Sequence, residues 1–385
     1  MRLKNGKASE QPPEPRFTAP RAALGILTLA AVTALTALTA FAWLPVTPSP
    51  TASDLRGVCA PSEGVAWITG ARGACLVTSD GGRTWRTLPI PGAEALDFRD
   101  VEAFGPEEAV VMSAGGGAAS RIYATADGGS HWSLALQNPD PTGFFDAIAF
   151  RDRRQGLALG DPVDGRFAIF ATEDGGRRWS RMEPARIPPA LAAEGAFAAS
   201  GTCLAFDRGG RAWFGTGGAG RARVFRSEDG GRTWTVATTP IPAATPSSGI
   251  FSLAFADALH GVAVGGDYRK AHGPAAIART DDGGVTWTSV AVHPAFDRFL
   301  SAVAVVPGTS PPIFVAAGTE ISGWSSDGGA TWTAGEGGWN AIAFAGAADG
   351  WAVGPAGRIV RFNPRDASWP RGARTTPSAG AKKGR

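Results

Sequence analysis

An eight-residue string, Ser/Thr-x-Asp-Gly-Gly-x-x-Trp, returns six times along this chain and restricts its fold more than any other feature. Its Asp and Trp are Asp80 and Trp85, Asp127 and Trp132, Asp174 and Trp179, Asp229 and Trp234, Asp282 and Trp287, and Asp327 and Trp332. A seventh copy, Asn363 to Trp369, has lost both glycines. Successive Trp residues lie about 47 apart, and a period of that size marks repeated supersecondary units, none of which can bury its own face alone.

Between the strings the pattern is β. Two short apolar runs precede each string, as in Asp146-Ala147-Ile148-Ala149-Phe150 followed by Gly156-Leu157-Ala158-Leu159-Gly160. A third run leads into the Asp-Gly-Gly turn and a fourth follows the Trp, and apolar runs of about 4–6 residues bounded by glycine are strands. Four strands per repeat make one propeller blade, and seven repeats make a ring. The expected fold is therefore all-β: a seven-bladed propeller of four-stranded antiparallel blades over 55–370. A β-solenoid repeat would be shorter and would not be hairpin-connected. The turn explains the string. Glycine supplies positive φ without steric cost, Asp accepts hydrogen bonds from the N–H groups of the turn, and Trp offers a large plate to blade packing.

The formal charge of +3 conceals a division. Segments 1–21 and 371–385 are basic, and the body they flank is acidic, at about −4. A nucleic-acid-binding body would need its own basic face, so no nucleic-acid partner is expected. No charged residue occurs from Ala22 to Ser53. As a helix, 22–44 would reach about 35 Å, enough for a hydrocarbon core of about 30 Å. With Arg2, Lys4, Lys7, Arg16 and Arg21 on its N-terminal side, the positive-inside tendency leaves everything after it outside. This transmembrane or signal segment is expected to remain as an anchor, although Ala40-Phe41-Ala42 has the small-x-small form of a cleavage site. Residues 45–54 then read as an extended linker. The propeller is expected to be membrane-anchored and extracytoplasmic, in a periplasm or a lumen.

Cys59, Cys75 and Cys203 are an odd set, which excludes a full disulfide framework and leaves buried thiols or a single Cys59–Cys75 bridge. No spacing of Cys, His or acids suggests a metal, and no cofactor is expected.

The repeated string resembles the Asp-box, or BNR repeat, of sialidases, xyloglucanases, sortilin-type receptors and the photosystem II stability/assembly factor family. The layout Gly-x-Ala-Val-Gly, then an apolar strand into the string, is most similar to the last of these. That resemblance implies a non-enzymatic exported propeller, acting as a monomer that binds a protein partner such as a membrane-complex subunit. It also implies that the six Asp-box Asp and Trp residues are structural. A carbohydrate-active propeller, glycoside hydrolase or sialidase-like, is the alternative. A sialidase needs a Tyr nucleophile and an arginine triad, yet the chain has only Tyr123 and Tyr268 and no Phe-Arg-Ile-Pro segment. A glycosidase needs two carboxylates about 5–9.5 Å apart, and Asp161 with Asp164 or Asp267 is the pair the sequence leaves open. A deep axial pocket with paired carboxylates and a stacking aromatic would favour that alternative, and a shallow charged rim would favour the binder.

In a four-stranded meander the Asp-Gly-Gly turns mark one rim, and the longer connections fall on the other. Loops on a rigid scaffold carry function disproportionately. The candidate binding residues on that rim are Arg99, Asp161, Asp164, Arg166, Asp267, Tyr268, Arg269, Lys270 and Arg298, with Tyr and Arg as the anchor types enriched at hot spots. Arg151, Arg153, Arg154, Arg177, Arg178 and Arg181 form a second basic cluster, either solvated or facing an acidic partner or lipid headgroups.

Overall fold

The computed structural model describes residues 43–207, 209–270, 272–335 and 337–362. Both basic tails, the apolar run as far as residue 42 and the seventh copy of the string lie outside the described residues. Among the described residues no helix is long and apolar enough to cross a membrane.

Seven four-stranded antiparallel sheets form the body. Their first strands are Leu55–Ser62, Phe98–Ala103, Phe145–Phe150, Leu204–Phe206, Ser248–Phe255, Ala302–Val306 and Ala341–Gly346. Each packs beside the next around the axis, and the last meets the first, so the ring is closed. The sheets are blades one to seven in that order. Because every blade lies between two others, its middle strands are buried on both faces and read as continuous apolar runs. Val65–Gly70 and Ala109–Ser113 are buried throughout. Outer strands such as Arg86–Thr87 and Ser180–Arg181 are short, polar and exposed. The core accordingly sits between blades, as where Leu159, Phe167 and Ile169 of blade three meet Leu204, Phe214 and Phe225 of blade four.

The repeated turn is built by its own side chains. In the first copy, Thr78 donates its hydroxyl to Asp80 Oδ1 (2.9 Å) and accepts the N–H of Gly82 (2.9 Å). Asp80 then accepts the Thr84 N–H on Oδ1 (2.9 Å) and the Thr84 hydroxyl on Oδ2 (2.6 Å). Ser227, Asp229 and Thr233 repeat the network in blade four. Gly82 has φ +82°, and a Cβ there would meet the Trp351 ring at 2.9 Å. The string's Trp packs toward the preceding blade. Trp85 meets Trp351 edge-on at 5.7 Å, Trp132 meets Trp67 at 6.3 Å, and Trp332 joins Val262 and Val264 of blade five.

The turn carboxylates titrate low. Bonding from the Thr84 hydroxyl and then its N–H holds Asp80 at about 2, and the N–H and ring of His131 do the same for Asp127. A carboxylate whose folded pKa is depressed stabilises above its unfolded pKa and loses that contribution as pH falls through the folded one. The melting temperature should therefore drop between about pH 4 and pH 2 more steeply in the wild type than in an Asp80→Asn/Asp127→Asn variant. Equal slopes in melts across that range would show that these turns do not couple to protonation.

The bounds of the N-terminal segments differ from the sequence reading. The outer strand of blade seven is Trp43–Pro45, paired antiparallel with Ile359–Phe362 in the register Trp43 to Phe362, Leu44 to Arg361 and Pro45 to Val360. Residues 43 and 44 thus belong to the propeller rather than to the apolar segment. Residues 45–54 are likewise not a free linker. The Val46 N–H donates to Ile359 O (2.9 Å), Ser49 Oγ donates to Gly357 O (2.6 Å), and Ser53 is buried. Joining Trp43–Pro45 to Ile359–Phe362 in one sheet gives blade seven its fourth strand and leaves no incomplete blade. All three cysteines are free, Cys75 and Cys203 buried and Cys59 half-buried, so the Cys59–Cys75 bridge is not formed.

Candidate functional site

A cavity of about 630 Å³ opens at the axis on the rim opposite the repeated turns. One register position of the inner strands recurs in its lining. Arg56, Arg99, Asp146, Phe251, Ser301 and Asn340 each follow an apolar residue at the start of the inner strand, or just before it, in blades one, two, three, five, six and seven. Blade four departs from this pattern because its inner strand is short and the connection before it, Glu183 to Ser200, folds over the mouth.

That connection is pinned from several blades. Glu194 is buried, accepts the Thr216 hydroxyl (2.6 Å) and pairs with Arg223, whose Nε lies 2.8 Å away. Ala196 donates its N–H to Asp161 Oδ1 (3.0 Å), Arg99 Nη1 donates to Ala198 O (2.9 Å), and Ser200 Oγ donates to Ser301 O (2.7 Å). Phe197 is thereby set into the mouth, 4.7 Å from the Phe251 ring and 6.4 Å from Tyr268. Phe299 lies 5.7 Å from Phe251 and completes an aromatic cluster. Tyr268 is 48% exposed.

Charge is divided across the cavity. Arg56 and Arg99 come from blades one and two, and Asp146 and Asp161 from blade three. Asp146 is 1% exposed and neither carboxylate oxygen has a hydrogen-bond partner. Burial first, and the Asp161 charge second, push its pKa well above the ordinary range against the pull of Arg99. Burial also raises Asp161. Desolvation, and then the charge of Arg99, lower Arg56, whose buried Nε donates to no acceptor. Arg99 is committed elsewhere, with Nε 2.8 Å from Asp97. Behind the wall, Asp100 accepts the N–H groups of Val101 (2.8 Å) and Ile148 (2.7 Å).

Of the candidates read from the sequence, the structure brings Arg99, Asp161 and Tyr268 to this cavity. Arg269 and Lys270 are exposed on the adjoining turn. Asp267 supports that turn, accepting the hydroxyls of Ser247 (2.7 Å) and Thr245 (3.1 Å) and the Arg269 N–H (3.1 Å). Asp164 stands outside the cavity, exposed at φ +52° in the turn between the second and third strands of blade three. Arg166 donates to Ile187 O, and Arg298 pairs with Glu320 (3.0 Å). Neither lines the mouth. The carboxylate that shares the cavity with Asp161 is Asp146, not Asp164 or Asp267. Arg56, Asp146, Phe197, Phe251 and Phe299 are lining residues that the loop-centred sequence reading passed over.

The second basic cluster lies on the opposite rim, where Arg153, Arg154 and Arg177 border a groove of about 500 Å³. Its arginines are engaged nearby: Arg153 with Glu108 (2.5 Å), Arg154 with Glu173 O (3.2 Å), Arg177 with Asp174 O (3.4 Å) and Arg181 with Asp140 (2.8 Å). Among the described residues no group of three His, Cys, Asp or Glu side chains is placed to hold a metal ion.

No protein-family model matches the chain, and no curated protein matches it by sequence. Solved structures do. YCF48 from Cyanidioschyzon merolae is 22% identical with a TM-score of 0.59, over 84% of this chain and 99% of that one. YCF48 bound to D1 peptide is 18% identical with a TM-score of 0.59, over 86% of this chain and 99% of that one. An ancestral GH74 enzyme is 13% identical with a TM-score of 0.58, over 82% of this chain and 45% of that one. What the chain shares with all three is the propeller architecture.

Proposed function

We propose that this chain is a non-enzymatic, protein-binding propeller that captures an extended segment of a partner polypeptide in the axial mouth and so assists assembly or stability of a membrane complex. One observation carries the reading. Six blades place chemically different side chains at one register around a single opening, so a rigid ring presents charged, amide, hydroxyl and aromatic groups together, the mixture that suits a peptide rather than one small molecule. That a YCF48 of the same fold is described as bound to a D1 peptide supports this use of the architecture. The propeller acts as a monomer, is tethered through 22–42 and lies outside the cytoplasm. Its six turns serve as Asp-boxes, holding the fold rather than the partner.

The cavity also contains what a carbohydrate-active site would require in outline, two carboxylates and aromatic walls. Hydrolysis needs both carboxyl groups to reach the glycosidic bond. Asp146 is only 1% exposed, which limits its reach to a sugar oxygen in this arrangement. Hydrolysis of an oligosaccharide panel that disappears in Asp161→Asn would nonetheless establish the enzyme reading.

Crosslinking of the full chain in its native membrane, followed by mass spectrometry, should identify the captured segment. A Tyr268→Ala/Arg269→Ala variant should then keep its stability within about ±0.5 kcal/mol per site, as ordinary surface substitutions do. Capture should fall by more than about tenfold, as for removal of a hot spot. Undiminished capture by a folded double variant would reject this rim as the binding face.

A further inference from the structure

The two sides of the axial mouth differ in charge in a way that specifies what each accepts. Asp161 keeps one oxygen for the Ala196 N–H, and among the described residues no donor meets Oδ2. Asp146, bordering the same cavity, is a buried carboxylate with no hydrogen bond at all. A buried carboxyl group without a hydrogen-bond partner is costly, and native proteins ordinarily supply one. Arg99 does not fill that role, since its guanidinium is spent on Asp97 and Ala198 O. Beside the two acids stand Phe197 and Tyr268, held at 6.4 Å by the pinned connection. Aromatic faces attract cations, and the methylene stems of Lys and Arg pack along them while the charged head reaches a polar group.

We propose that the blade three to blade five side of the mouth is a receptor for a cationic side chain, Lys or Arg, of the captured peptide. Asp161 Oδ2 contacts the cationic head, the unpartnered Asp146 carboxyl lies behind it as a further acceptor, and Phe197 and Tyr268 flank its stem. The opposite side, where Arg56 and Arg99 border the cavity, takes a carbonyl or carboxylate oxygen of the same segment. The peptide therefore has a fixed polarity across the mouth. This inference rests on the peptide-binding reading and names the chemistry of its ligand.

The test uses the full chain in detergent micelles and four blocked heptapeptides that differ only at the central residue, which is Lys, Arg, norleucine or Glu, with binding read by fluorescence anisotropy. The Lys and Arg peptides should bind at least tenfold more tightly than norleucine, and Glu most weakly. The preference should shrink between about 0.05 and 0.5 M salt, where screening shortens from over 10 Å to a few ångströms. Asp161→Asn, whose amide oxygen can still accept the Ala196 N–H, should bring the Lys peptide down to the norleucine value. Tyr268→Ala should reduce Lys and Arg binding without unfolding the chain. Equal binding of the Lys, norleucine and Glu peptides would overturn the cation site and leave peptide binding standing. Failure of all four peptides, on a chain shown to be folded, would overturn peptide binding at the mouth and the cation site with it.

Discussion

Trp234→Ala should destabilise the propeller by about 3–5 kcal/mol, the cost of emptying a buried Trp site. Trp234 is 6% exposed, its ring lies 5.0 Å from Phe214, and its Nε1 donates to Gly231 O (2.8 Å). It sits in the cluster that joins blades three and four, so its removal loosens an interface as well as a turn. For a body of this size the melting temperature should fall by roughly 4–8 °C. Burial grades the series. Trp287 and Trp332 are buried like Trp234, whereas Trp85, Trp132 and Trp179 are half-buried, so the first three substitutions should cost more than the last three. Peptide capture should decline only in step with the folded fraction. An unchanged melting curve with capture abolished would make the turn-bearing rim functional and move the site away from the axial mouth.

The blade number and the turn chemistry were legible in the sequence because both depend on residues with few substitutes. Two successive glycines at positive φ, an Asp that accepts from the turn and a Trp that covers the preceding blade leave the same trace in six places. The mouth leaves the opposite trace. Its defining position holds Arg56, Arg99, Asp146, Phe251, Ser301 and Asn340 in different blades, and a comparison of repeats averages away residues that differ from copy to copy. Alignment of the inner strands by their apolar starts, Leu55, Phe98, Phe145, Ile250, Leu300 and Trp339, would have exposed it as a position of changing chemistry that follows a constantly apolar one. Arg99, Asp161 and Tyr268 were found because they stand in or beside longer connections. Phe197 was not, since nothing in Glu183 to Ser200 signals that Glu194 anchors to Arg223 on a hairpin some thirty residues away. Trp43 and Leu44 were hidden by their neighbours, because an apolar outer strand continuing directly from an apolar run carries no boundary.

That hidden strand gives the second large effect. A chain beginning at Trp43 retains the whole of blade seven, whereas one beginning at Val46 loses its outer strand. Three register pairs with Ile359–Phe362 disappear, along with the Trp43 ring that meets Phe362 at 5.7 Å, Phe344 at 6.1 Å and Trp339 at 6.3 Å. Hydrogen bonds contribute about 0.5–1.5 kcal/mol each and a partly buried aromatic somewhat more, so the loss should be on the order of 3–6 kcal/mol. It also exposes the edge of Ile359–Phe362 as a template for pairing with another chain. The chain from Trp43 should be soluble and melt within a few degrees of the detergent-extracted full chain. The chain from Val46 should melt well below both and self-associate on size-exclusion chromatography. Because the apolar run 22–42 ends immediately before the closing strand, the same series tests the tether. The full chain should sediment with membranes and resist an alkaline wash, while the chain from Trp43 should not. Release of the full chain by that wash would remove the anchor. Equal stability of the Trp43 and Val46 chains would show that the ring does not depend on its N-terminal strand for closure.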